Sequence, residues 1–173
     1  MAYIEEDRPD YYGIILIIMQ YGMRRGQAVS IERGNVKTGQ FGRPIEFSWE
    51  PIDTKTDIPH VLPITDPKLA NVIHKYMKDG RRTRWLFPNR NNNKHHANHF
   101  TTYISKTSEK VLGIHLTPHD FRHSYITNRR KEGHTDEDIM VVTGHTDVRS
   151  LSIYTHHTTE GTKRVLDSSK VLD

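Results

Sequence analysis

A chain of 173 residues has room for one domain with a real core, burying roughly 70% of the surface its unfolded form would expose, and not for a second full domain. Twenty-five Lys and Arg against 21 Asp and Glu give a formal charge of +4 and a pI near 9.3, a balance that suits a polyanionic partner without proving one. The absence of cysteine excludes disulfides and thiolate metal sites, and the apolar run from Ile14 to Met19 is far shorter than the ~20 residues that span a bilayer. The expectation is a soluble, cytoplasmic protein held together by packing alone.

Asp7 to Asp10, with Pro9 among them, has the composition of a helix start, and the apolar run that follows stops at Gly22. Its four isoleucines would equally suit a buried strand; a buried helix is the favoured reading. Residues 24–32 place Ala28, Val29 and Ile31 among polar neighbours and predict a second, amphipathic helix with two arginines at its start. From Asn35 to Ile64 the pattern changes to glycine, proline and β-branched or aromatic residues, with turn candidates at Thr38-Gly39-Gln40 and Asp53-Thr54-Lys55-Thr56. A small antiparallel sheet of about three strands follows from this pattern.

Asp66-Pro67 begins a helix that Asp79-Gly80 ends, and residues 89–98 form a polar loop rich in Asn and His. The last third reads as helical. Thr117-Pro118 is an N-cap with a first-turn proline, and that helix closes at Gly133 after Arg129-Arg130-Lys131. Thr135 and Asp138 have the spacing of a capping box for a shorter helix ending at Gly144, and Thr146-Asp147 can cap a further helix carrying Tyr154. The fold class expected is α+β, mainly α-helical with one small antiparallel sheet.

Four clusters gather residues suited to holding or attacking a phosphate. They are Gly22-Met23-Arg24-Arg25-Gly26-Gln27, then Thr54-Lys55-Thr56, then His119-Asp120-Phe121-Arg122-His123, then Gly144-His145 through Tyr154. Each alone has a blander reading: an arginine pair at a helix start is usually a solvated face, and a tyrosine more often packs than reacts. Their joint occurrence, in this order and with Tyr154 nine positions after His145, makes chance a poor account.

Together the clusters resemble the tyrosine recombinases of the phage integrase family, whose signature runs Arg, Lys, His-x-x-Arg, His or Trp, then Tyr. The resemblance implies that Arg24 and Arg122 hold the scissile phosphate through forked guanidinium donors. It implies Tyr154 as the nucleophile, His119 as the base that takes its proton, Lys55 as the general acid for the leaving 5′-hydroxyl, and His145 as a donor to the phosphate. Lys37 competes with Lys55 for the acid's role. Gln27 stands where the family pattern usually has an acid, three positions after the arginine.

No metal or other cofactor is implied, because a phosphotyrosyl bond conserves the energy of the bond it replaces. The partners implied are double-stranded DNA attachment sites and further copies of the chain, a tetramer on DNA, with no membrane. Family members also carry a separate N-terminal domain that clamps the DNA, so residues 1–173 are expected to be the catalytic domain alone. Integrase, resolvase-like and topoisomerase-like roles share this chemistry, with an integrase of a mobile element favoured. A DNA-binding regulatory module without turnover is the alternative. A histidine-based metallohydrolase is a third reading: His119 and His123 lie one helical turn apart, a spacing that also suits zinc, but no third ligand or glutamate base is adjacent, and His95, His96 and His99 of the polar loop are assigned no role.

Overall fold

The computed structural model describes residues 1–50 and 60–144; Lys55 and the turn expected at Asp53-Thr54-Lys55-Thr56, His145, the cap expected at Thr146-Asp147 and Tyr154 lie outside the described residues. The chain begins with a short helix α1 (Ala2–Asp7), which the sequence did not signal, followed by α2 (Pro9–Tyr21). Tyr11, Tyr12, Ile14, Ile15, Ile17, Ile18 and Tyr21 of α2 are all buried. A helix apolar on every side is stable only when protein surrounds it. Here α2 is the central rod of the domain, packed by α1, by α3 (Arg25–Ala28), by α4 (Pro67–Met77) and by α6 (Pro118–Lys131). That environment decides between helix and strand, which the isoleucine run could not.

The helix expected over 24–32 is a single turn. Ser30 Oγ folds back to the Gly26 carbonyl at 2.6 Å, and Ile31 and Arg33 are drawn into backbone bonds with Leu86 and Arg84 around an isolated Glu32–Trp85 bridge. Long-range pairing therefore overrides the local helical pattern beyond Ala28. The sheet has the expected form: β1 (Val36–Thr38), β2 (Pro44–Trp49) and β3 (His60–Pro63), antiparallel in the order β1-β2-β3. Phe47 sits opposite both Val36 and Leu62, so one face of the sheet buries all three against the core.

Helix α4 starts where Asp66 accepts the Leu69 amide at 2.7 Å, a side-chain cap of the predicted kind. It buries Leu69, Ala70, Ile73 and Tyr76, one helical stripe. Helix α5 (Ala97–Leu112) was not anticipated beyond the polar loop, because its N-cap is His96, a weak capping residue; its signals are Phe100 and Ile104 four apart and Gly113 in the left-handed conformation after its last turn. Helix α6 starts at the expected Thr117 N-cap, which forms a capping box with Asp120, and α7 (Asp136–Thr143) starts at the capping box that the Thr135/Asp138 spacing predicts.

At the N-terminal end of α2, Asp10 accepts bonds from Arg8 Nε at 3.0 Å and Nη2 at 2.8 Å, and its other contact is the buried His95 ring nitrogen at 2.9 Å. Burial would raise the Asp10 carboxyl, but the His95 and Arg8 bonds and the Arg8 charge outweigh it and hold the group below its ordinary value. A depressed carboxyl stabilises the fold above its unfolded pKa and loses that contribution as pH falls through the folded one. Asp10→Asn is expected to cost about 3 kcal/mol at neutral pH. The difference from the wild type should shrink steadily below about pH 4, which urea titrations at a series of pH values would show.

Candidate active site

The arginine box follows the end of α2. Gly22 closes that helix at φ +58, and a Cβ built there would lie 2.5 Å from the Tyr125 ring and 3.0 Å from Thr143 Cγ2. Only glycine lets the α2 terminus approach α6 and α7 this closely, and a left-handed backbone also disfavours any side chain. The sequence around Gly22 is thus a packing requirement as well as a motif.

Arg122 projects from the second turn of α6, is 4% exposed, and donates through Nη1 to the carbonyl oxygen of Gly22. Arg24, the N-cap of α3, is exposed and donates through Nη1 to the carbonyl oxygen of Gly144 at 3.2 Å. The two arginines, 98 positions apart in the chain, are therefore anchored on one junction where α2, α3, α6 and α7 meet. A guanidinium carries five donors in a plane, so a bond to a carbonyl helps to fix the orientation of a group whose fork matches phosphate oxygens.

His119 lies in the first turn of α6 and is exposed, three positions before Arg122 and so on the same face of the helix. Its helix begins with Thr117, whose hydroxyl and amide both bond Asp120 at 2.7 Å. The Thr117 bonds, then the opposing effect of burial, then the Thr117 amide and the neighbouring His119 set the Asp120 carboxyl, whose net shift is downward. That arrangement fixes the backbone carrying His119. His123, one turn on, has Thr127 Oγ1 3.5 Å from its Nδ1.

Gly144, φ +65, ends α7 and immediately precedes His145. Lys55 sits in the 51–59 segment between Trp49 and His60, which face each other across β2 and β3. Lys37 is exposed on edge strand β1 opposite Glu46. Glu46 lies three residues along β2 from Trp49, about 10 Å at strand spacing, so Lys37 belongs to the far part of the sheet.

Several arginines of the two basic runs, 81–84 and 129–131, are ion-paired within the fold. Arg81 pairs with Asp79 at 3.0 Å, and Arg84 pairs with Glu32. Arg129 pairs with Glu132 at 2.6 Å, and Arg130 with Asp136 at 2.7 Å. A cavity of about 550 Å³ is lined by Arg8, Tyr11, Arg90, Lys94, His96 and His99 among others. It lies at the opposite end of α2 from the arginine junction, about 20 Å away by helix length, and is not the candidate site. Among the described residues no three His, Cys, Asp or Glu side chains are grouped to hold a metal ion. No described helix is long and apolar enough to cross a membrane.

The Phage integrase family model matches residues 1–160, a span that takes in all six candidate residues. The chain belongs to the phage integrase family. Tyrosine recombinase XerA of Pyrococcus horikoshii is 28% identical over 116 residues, covering 65% of this chain and 40% of XerA. Tyrosine recombinase XerD of Listeria monocytogenes is 29% identical over 118 residues, covering 60% and 38%. The chain thus matches well under half the length of these relatives. In fold it is similar to the crystal structure of XerA recombinase, with a TM-score of 0.74 at 18% identity over 99% of this chain and 60% of that one. The XerH site-specific recombinase bound to its difH substrate gives 0.66 at 16% identity, covering 94% and 47%. The mainly helical domain with its three-stranded sheet is the catalytic-domain fold of the tyrosine recombinases.

Proposed function

We propose that residues 1–173 form the catalytic domain of a site-specific DNA recombinase that integrates or excises a mobile element. The supporting observation is the shared anchoring of Arg24 and Arg122 at the α2–α3–α6–α7 junction, one residue before His145. Two guanidinium groups bound to the scissile phosphate neutralise charge that grows as its phosphorus becomes five-coordinate.

In this reading the Tyr154 oxygen attacks phosphorus and gives its proton to His119. The bond to the 5′-oxygen breaks, and that oxygen takes a proton from Lys55. A 3′-phosphotyrosyl link and a free 5′-hydroxyl result; the hydroxyl of a second strand then reverses the same steps. His145 donates to a phosphate oxygen throughout. No redox change, water or high-energy cofactor enters the balance. The partner is double-stranded DNA bearing attachment sites, in the cytoplasm, with several copies of the chain assembled on it.

XerH was solved bound to difH DNA, and a transposon integrase of the same fold was solved with a circular DNA intermediate, which favours duplex DNA as the substrate here. The test is incubation with nicked suicide duplexes carrying candidate sites, read on a denaturing gel. A covalent protein–DNA band that chelator leaves unchanged is expected. DNA binding without such a band would favour the regulatory module, and strand cleavage that leaves no covalent band and is abolished by chelator would favour metal-dependent hydrolysis.

A further inference from the structure

Helix α7 ends at the point where the site converges, and its final turn is held by groups from two distant parts of the chain. The last four carbonyls of a helix have no partner within it. Here the Met140 carbonyl takes the Gly144 amide at 2.9 Å, and the Val141 carbonyl lies 2.8 Å from Nε2 of His60, 81 positions earlier. One residue past the helix, the Gly144 carbonyl takes Arg24. A carbonyl oxygen can only accept, so His60 holds its proton on Nε2 in this contact.

The His60 ring is itself fixed. It stacks on Trp49, its cross-strand partner, with ring centroids 5.4 Å apart and planes 25° from parallel. It also lies close beside the turn: a Cβ at Gly144 would lie 3.7 Å from His60 Cε1 and 4.0 Å from the Gln27 amide nitrogen. β3, α3 and the end of α7 thus meet around a four-residue turn, with His60 gripping one carbonyl and Arg24 another.

We propose that His60 is a positioning residue: by holding the Val141 carbonyl it fixes the Gly144 turn, and through the Gly144 carbonyl it sets the Arg24 guanidinium for the scissile phosphate. The proposal rests on the strand-transfer reading above. A hydrogen bond to an exposed helix end adds little to folding, because water takes its place when it is lost. A misplacement of about 1 Å in a group that must meet a transition state costs about a hundredfold in rate. The contact therefore matters more to the chemistry than to the fold.

Single-turnover adduct formation at saturating DNA separates these roles, using the full chain with His60→Ala, His60→Phe and His60→Gln. His60→Phe keeps a ring for Trp49 but has no donor; His60→Gln restores a donor. The Ala and Phe variants should form adduct about 10- to 100-fold more slowly than wild type, with DNA affinity and thermal midpoint unchanged. His60→Gln should recover most of the rate. Wild-type rates in His60→Ala, or a Gln variant no faster than the Ala variant, would overturn the proposal. Hydrogen exchange at the Gly144 amide gives a readout that needs no turnover. Faster exchange in His60→Ala is expected, and unchanged exchange overturns the positioning role even if wild-type protein gives no adduct, an outcome that would sink the strand-transfer reading separately.

Discussion

Replacing Arg122 with alanine should lower the rate of strand cleavage by about a thousandfold or more, the range seen when a guanidinium that braces a transferring phosphate is removed. Two consequences of its placement sharpen this. Arg122 is buried and donates to the Gly22 carbonyl, so its loss both removes charge from the phosphate and strips a partner from the turn that carries Arg24. Arg122→Lys keeps the charge and loses the planar fork, and it should still fall by about a hundredfold, because a point charge cannot hold carbonyl and phosphate together in one plane. Single-turnover cleavage at saturating DNA, with a thermal melt of each variant, separates rate from folding. A lysine variant within a factor of ten of wild type would mean that charge alone suffices and that the geometry at Gly22 is incidental.

The second large effect is on stability, at Gly22. Alanine there must adopt the left-handed backbone, which costs about 1 to 2 kcal/mol. Its Cβ would also lie 2.5 Å from the Tyr125 ring and 3.0 Å from Thr143, so α6 or α7 must move, adding about 1 to 3 kcal/mol. The thermal midpoint of Gly22→Ala should fall by about 5 to 15 °C for a domain of this size. Gly26→Ala is the control: nothing lies within 4 Å of a Cβ at Gly26, and an alanine in α3 should leave the midpoint unchanged or slightly raised. Loss of cleavage with Gly22→Ala at a temperature where the protein is folded would show that the same approach sets the arginines.

Much of this fold was legible because its boundaries are written in local chemistry. Asp66-Pro67, Thr117-Pro118 and Thr135/Asp138 are capping signals that act within four residues, and each starts a helix where it predicts one. The three strands follow from β-branched and aromatic residues between turns. What was not legible depends on distant partners. The residues after Ala28 leave the helix for backbone bonds with residues 84–86, more than 50 positions away, and α5 starts on a histidine that no capping rule favours. The α1 helix at the chain start carries no capping side chain at all.

The candidate site divides in the same way. Residue types in order pointed to Arg24, His119 and Arg122, and the fold brings Arg24 and Arg122 to one junction, with His119 on the same helix face as Arg122. The neighbouring arginines differ in their partners: Arg24 bonds the Gly144 turn, whereas Arg25 reaches across to Thr101 Oγ1 on α5 at 2.7 Å. His60 was missed, since a lone histidine at a strand start carries no signal until the helix end 81 positions later is seen against it.

The central claim is that Tyr154 becomes joined to DNA, and the most direct measurement is to trap the adduct on a suicide duplex, digest the DNA and the protein, and find by mass spectrometry which residue carries the residual nucleotide phosphate. The account predicts a single modified peptide with the phosphate on Tyr154, and no adduct from Tyr154→Phe under the same conditions. An adduct mapped to another residue, or one of wild-type yield from Tyr154→Phe, would contradict it.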